Sequence, residues 1–117
     1  MKKTAKYVIE KTAAGYHTNL HAPNGKIIMT SSKVHPTRQS CEDEITLAQS
    51  TTDESIVVAM SRKGGYKFKV MHPLREKSIF KSEVYNEKRD ANRGKESVLR
   101  NCQTTNVVFN NLTDAPE

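Results

Sequence analysis

Apolar and polar positions alternate in short runs along this chain, and the runs come in an order that is repeated. From Lys6 to Glu10, Tyr7 and Ile9 face one side and Val8 the other, which predicts a first strand. Thr12-Ala13-Ala14-Gly15 is turn material. Tyr16, Thr18, Leu20 and Ala22 then alternate with His17, Asn19 and His21, the period-2 pattern of a half-buried second strand. Asn24-Gly25 predicts a type I′ hairpin turn, because both residues tolerate positive φ. Lys26 to Ser31 is the third strand. Pro36-Thr37 opens a helix running to about Ser50, with Thr37 as N-cap and Cys41, Ile45 and Ala48 as a narrow apolar stripe.

The same order then returns. Ile56 to Met60 reads as a strand and Arg62-Lys63-Gly64-Gly65 as a turn. Tyr66, Phe68 and Val70 alternate with Lys67 and Lys69, and Ser78 to Ser82 follows as a third strand. Leu74-Arg75-Glu76-Lys77 stands where the first copy has its Asn-Gly turn. A second helix runs from about Asn86 or Glu87 to Asn101, with Ala91, Gly94, Val98 and Cys102 on its inner face.

Aligning the copies about fifty residues apart sets Gly15-Tyr16 on Gly65-Tyr66 and Leu20 on Val70. With one extra residue in the second copy, Ile28-Met29-Thr30-Ser31 falls on Ile79-Phe80-Lys81-Ser82. The fold expected is α+β: two tandem β-β-β-α repeats, about 6–50 and about 56–102, within one domain spanning 1–117. Their strands should form an antiparallel sheet with both helices packed on one face, the halves related by a pseudo-two-fold axis. A C-terminal extension, 103–117, carries Val107-Val108-Phe109 where a third copy would begin. Such a lone strand must pair with the sheet, cover a core edge or pair with another chain.

These motifs resemble the YegP-like family of small bacterial tandem-repeat proteins. In copy one the match is carried by Gly15-Tyr16, Leu20, Ala22, Asn24-Gly25 and Ile27-Ile28-Met29-Thr30-Ser31. Copy two contributes Tyr66, Phe68, Val70, Ser82-Glu83, Tyr85, Gly94, Glu96-Ser97-Val98 and Asn101. The resemblance implies a fold and brings no catalytic residues, because the family's function is unknown. Two departures stand out: Asp43 lies near the place of the helix glycine in copy one, and copy two lacks the Asn-Gly turn.

Composition narrows the function classes. Charge is uneven: residues 1–54 hold 7 Lys/Arg against 6 Asp/Glu, a net +1, while residues 55–117 hold 12 against 7, a net +5. The second copy therefore carries most of the field that attracts anionic partners. No apolar stretch approaches the roughly 20 residues of a membrane helix. Glu10-Lys11 interrupts the first apolar run too early for a signal peptide, so a cytoplasmic protein is expected. The two cysteines, Cys41 and Cys102, read as buried, reduced side chains.

Specific chemistry is sparse. On a strand, His17 and His21 lie roughly 13 Å apart and cannot grip one ion, so no metal and no cofactor is expected. Glu42-Asp43-Glu44 fans around a helix rather than facing one substrate, and Gly64-Gly65 lacks the surroundings of a phosphate loop. The chain is expected to be a non-enzymatic binding or interaction module of unknown ligand. Two versions remain open, with a small enzyme as the remaining alternative: sequence-independent nucleic-acid binding through the second repeat, and protein-partner binding, as inhibitor or adaptor, through an open sheet edge. The candidate polyanion site is Arg62, Lys63, Lys67, Lys69, Arg89 and Arg93, on a monomer or homodimer.

Overall fold

A computed structural model describes residues 4–112. Seven strands form one sheet in the order β4-β5-β6-β3-β2-β1-β7. Along the chain they are β1 (Lys6–Thr12), β2 (Gly15–His21), β3 (Ile27–Ser31), β4 (Ile56–Met60), β5 (Tyr66–Met71), β6 (Ser78–Lys81) and β7 (Val107–Asn111). Helix α1 (Arg38–Ala48) follows β3 and α2 (Lys88–Asn101) follows β6. α1 packs on β1 and β2, and α2 on β3, β4 and β5. One continuous cluster fills the space between sheet and helices, from Tyr7, Ile9 and Leu20 through Cys41 and Ile45 to Phe68, Phe80, Val98 and Cys102.

The alternation read in the sequence is the reason these side chains meet. Tyr7, Ile9, Leu20, Phe68 and Val70 are fully buried, so the residues between them project from the other sheet face. Thr37 caps α1 by accepting the Ser40 N–H at 3.1 Å. The α1 stripe contains one residue that apolar periodicity does not find, because Glu44 is buried beside Cys41, Ile45 and Ala48.

The antiparallel pairing expected of β1 to β6 is observed, and the expected form of the first hairpin is corrected. The sheet is antiparallel from β1 to β6, but β7 joins the outer edge of β1 in parallel, Tyr7 opposite Val107 and Ile9 opposite Phe109. The crossover through α2 brings the chain back at the end of the sheet where β1 starts, so β7 runs in the same direction as β1. Phe109 then lies beside Tyr16 and under the Arg38 guanidinium, 4.5 Å from the ring centre. The first hairpin is also not a type I′ turn. Gly25 has φ of 88°, but no described non-glycine residue has positive φ, so Asn24 does not. Pro23 locks its own φ negative, and the turn closes from Ala22 to Gly25 through the Gly25 N–H to Ala22 carbonyl bond of 2.8 Å. Gly25 then occupies the left-handed position of a three-residue hairpin loop.

Several local features occur at matching places in residues 6–50 and 56–101. β3 is bulged against β2 after the Leu20–Met29 pair, and β6 against β5 after the Val70–Phe80 pair. Tyr16 bridges to His35 and Tyr66 to Tyr85. The Thr18 N–H donates to Ser31 Oγ at 3.0 Å, and the Phe68 N–H to Ser82 Oγ at 2.9 Å. At the centre of the sheet Thr30 pairs with Lys81.

Candidate functional site

Strand pairing carries one row of residues across the helix-free face of the whole sheet. From β4 to β7 it reads Val57, Lys69, Lys81, Thr30, Asn19, Val8 and Val108. The next row sets Lys67 opposite Ala59, and His17 opposite Glu10. The two ends of this face differ in chemistry. Around β1 and β2, Glu10 Oε1 accepts from Asn19 Nδ2 at 2.8 Å and lies 2.8 Å from His17 Nε2, forming a closed polar network. Around β5 and β6, strand register sets Lys67, Lys69 and Lys81 side by side, and Ala59 stands opposite Lys67 where Glu10 stands opposite His17 at the other end.

Pairing geometry brings the lysines close. Lys69 and Lys81 are direct cross-strand neighbours, which sets their Cα atoms about 4.5–5.5 Å apart. Lys67 is two residues along the strand, about 7 Å away. None of the three makes an ion pair among the described residues. Like charges directly opposite on a sheet destabilise it by a few tenths to about 1 kcal/mol. An anion placed over the three would relieve that cost.

The six residues singled out from sequence do not all meet here. Lys67 and Lys69 share the helix-free face as expected. Arg62 and Lys63 are exposed in the β4–β5 turn at one end of it. Arg89 and Arg93 ride on α2, which packs on the Phe68 side of the sheet, so they belong to the opposite layer. Arg89 is also tied to Glu87 at 2.9 Å and approaches Asp90 at 4.0 Å. Sequence reading missed Lys81; its register on β6 was the available signal, since it follows buried Phe80 and must point away from the core.

A second polar cluster is buried against α1. His35 Nε2 lies 2.8 Å from Glu44 Oε1, both side chains nearly sealed from solvent. The approach is close but lacks the alignment of a good hydrogen bond, and Thr18 Oγ1 beside them is likewise unaligned with any acceptor. Burial pushes the Cys41 thiol above its ordinary range; the adjacent Thr18 hydroxyl offsets part of that rise, while Glu44 adds to it. Glu44 stands nine residues after His35, as Gly94 stands nine after Tyr85. Small Thr18 and His35 leave room for the Glu44 carboxylate, whereas Phe68 and Tyr85 leave room for no side chain at all.

Elsewhere the surface offers little acid-base chemistry. A depression of about 620 Å³ lies between the start of β7 and the β2–β3 turn, and among the described residues Lys6 is the one ionisable group lining it. Among the described residues no three His, Cys, Asp or Glu side chains gather as a metal site would need. No described helix is long and apolar enough to cross a membrane.

No family model and no curated protein matches the sequence. Two solved structures resemble the fold closely. One is YegP from E. coli, described as a protein of unknown function, with a TM-score of 0.86 at 20% identity over 97% of this chain and 99% of that one. Another is a UPF0339 protein from Shewanella oneidensis, with a TM-score of 0.84 at 19% identity over 95% of each. The chain therefore has the fold of the YegP-like proteins, the family its motifs resemble, and the likeness brings no activity with it.

Proposed function

We propose that this protein is a non-enzymatic binding module that takes polyanions, nucleic acid first among them, on the helix-free face of its second half. One observation carries the reading: Lys69 and Lys81 are register partners, with Lys67 beside them and no acid at the position of Glu10. Arg62 and Lys63 extend the cationic surface at its rim. Arg89 and Arg93 act through the overall field rather than by contact. No aromatic side chain on that face offers a stacking platform or a base-reading group, so recognition is of backbone charge.

Duplication accounts for the asymmetry. Six strands in the order β4-β5-β6-β3-β2-β1 read the same outward from the centre, and Thr30 pairs with its own counterpart Lys81, as a pseudo-two-fold axis through that pair requires. The matching bulges, bridges and serine bonds support two β-β-β-α units with both helices on one face. After duplication, one copy kept a neutralised polar face and the other gained lysines. Two buried, unpaired thiols suit the reducing conditions of the cytoplasm.

The test is fluorescence anisotropy with labelled single- and double-stranded oligonucleotides over a salt series. Three lysine contacts give a log-log salt slope of about −2 on single strands and about −3 on duplex. Lys67→Glu with Lys69→Glu should abolish binding and leave the circular dichroism spectrum unchanged, while Arg89→Glu with Arg93→Glu should weaken it without removing it. Absence of binding at low salt, or equal loss in the two double variants, defeats the proposal. A protein partner at a sheet edge is the second reading, and the state of β4 favours it.

A further inference from the structure

The two outer edges of the sheet are treated differently. At one end β7 covers β1, and Ile9 beneath it is fully buried. At the other end, among the described residues, β4 pairs only with β5, and Val58, the residue in the place of Ile9, is half-buried. The directions of the free backbone groups on β4 can be worked out. Tyr66 exchanges both backbone bonds with Tyr85, at 2.7 Å each. Phe68 likewise donates to Ser82 Oγ and accepts the Ser82 N–H at 3.0 Å. Both residues thus spend their polar groups on the β6 side, so their partners Met60 and Val58 point N–H and C=O outward from the edge.

Such an edge is a template for another strand. β4, Ile-Val-Val-Ala-Met, has no charge, proline or bulge to block pairing. Val57 is 47% exposed and Met60 73%. Its flanks carry opposite signs: Asp53 and Glu54 precede it, and Arg62 and Lys63 follow it.

We propose that β4 is a self-association edge, pairing antiparallel with β4 of a second copy about a two-fold axis through Val58. In that register Val58 exchanges both backbone bonds with Val58 of the second copy. Each Met60 N–H donates to the opposite Ile56 carbonyl. The Ile56 N–H stays with the Asp53 carbonyl inside its own chain. Val57 packs over the opposite Ala59 on the helix-free face, and Met60 covers the opposite Ile56 and Val58 on the other. A shift of one residue would set the outward N–H and C=O of Val58 against residues whose own groups point inward to β5, so the backbone pattern excludes it. The antiparallel direction brings Glu54 of each copy beside Arg62 and Lys63 of the other, twice per dimer, while Asp53 keeps its 3.0 Å ion pair with Lys95 of its own chain. That complementarity selects a second copy over an unrelated extended peptide.

The dimer stands independently of polyanion binding. It would nevertheless set the two lysine clusters on one continuous sheet, with the β5 strands three spacings or about 14 Å apart.

The experiment is sedimentation velocity over a concentration series at low salt, with amide exchange followed by NMR at the two ends of the series. A monomer-dimer equilibrium is expected, in which the Val58 and Met60 amides gain protection as concentration rises. Val58→Pro removes an outward N–H at an edge position where proline is tolerated, and should yield a folded monomer. Glu54→Arg and Arg62→Glu should each weaken association about tenfold, and together restore it. These surface variants remain informative if the proline variant fails to fold. A monomer at every concentration, a dimer whose Val58 and Met60 amides exchange at the monomer rate, or a double charge variant as weak as the singles overturns the proposal.

Discussion

Replacing Gly94 by alanine sets two opposed effects against each other at one atom. In an exposed helix interior the change stabilises by about 0.8–1.0 kcal/mol, because glycine gives up more backbone entropy on folding. At Gly94 the added Cβ would lie 2.7 Å from the Tyr85 hydroxyl, 2.8 Å from Phe68 Cε2 and 3.2 Å from Tyr85 Cζ. Neither ring can withdraw freely. Phe68 is fully buried in β5, and Tyr85 is held by its two backbone bonds to Tyr66. Overpacking of this kind costs about 1–3 kcal/mol, so the propensity gain is outweighed. The expected net loss is about 1 kcal/mol, read as a lower urea midpoint and a melting temperature reduced by about 4 °C. Tyr85→Phe removes the nearest atom, so Gly94→Ala in that background should cost less, with a coupling of at least about 0.5 kcal/mol. A stabilised Gly94→Ala single variant, or additivity with Tyr85→Phe, would refute the packing argument.

Other outcomes follow from the buried groups. Glu44→Ala removes the acidic group close to buried His35 Nε2 and empties the space its side chain fills, and should cost about 1–3 kcal/mol in urea melts, whereas Arg38→Ala on the exposed side of α1 should cost under about 1. Burial holds the Cys41 and Cys102 thiols above their ordinary value of 9.0, so on raising pH the unfolded chain loses these protons first. Their contribution is complete below about pH 8.5 and declines above it. The urea midpoint should therefore drop from neutral pH to about pH 10, and the slope should shrink in the double Cys→Ala protein. A profile unaffected by removing both cysteines would contradict this. In the native state neither thiol should react with an aromatic disulfide reagent until the chain unfolds.

Local rules carried much of the architecture. Strict alternation fixes which face each strand buries, so Tyr7, Leu20, Phe68 and Val70 could be placed inside from their neighbours alone. Helix limits followed from Thr37 and from the small inner residues Ala91, Gly94 and Val98. The recurrence of these signals about fifty residues apart gave the element order of both halves. The resemblance to YegP-like proteins rested on the same turn and core positions, and the solved structures bear it out at the level of fold.

Nearest neighbours along the chain governed element types, their order, buried faces and uneven charge. Neighbours in space set the rest. The parallel docking of β7 on β1 depends on where α2 returns the chain, which no local pattern encodes. The Ala22–Gly25 turn was shaped by Pro23 acting on a dipeptide that would otherwise favour a different hairpin. Lys81 joined Lys67 and Lys69 through strand register, while Arg89 and Arg93, equally basic in sequence, were carried to the opposite layer by their helix. Glu44 is buried because Thr18 and His35, distant in sequence, leave room for it. Charge and apolarity are properties of a residue, but a site is a property of distances, and only the sheet fixes those.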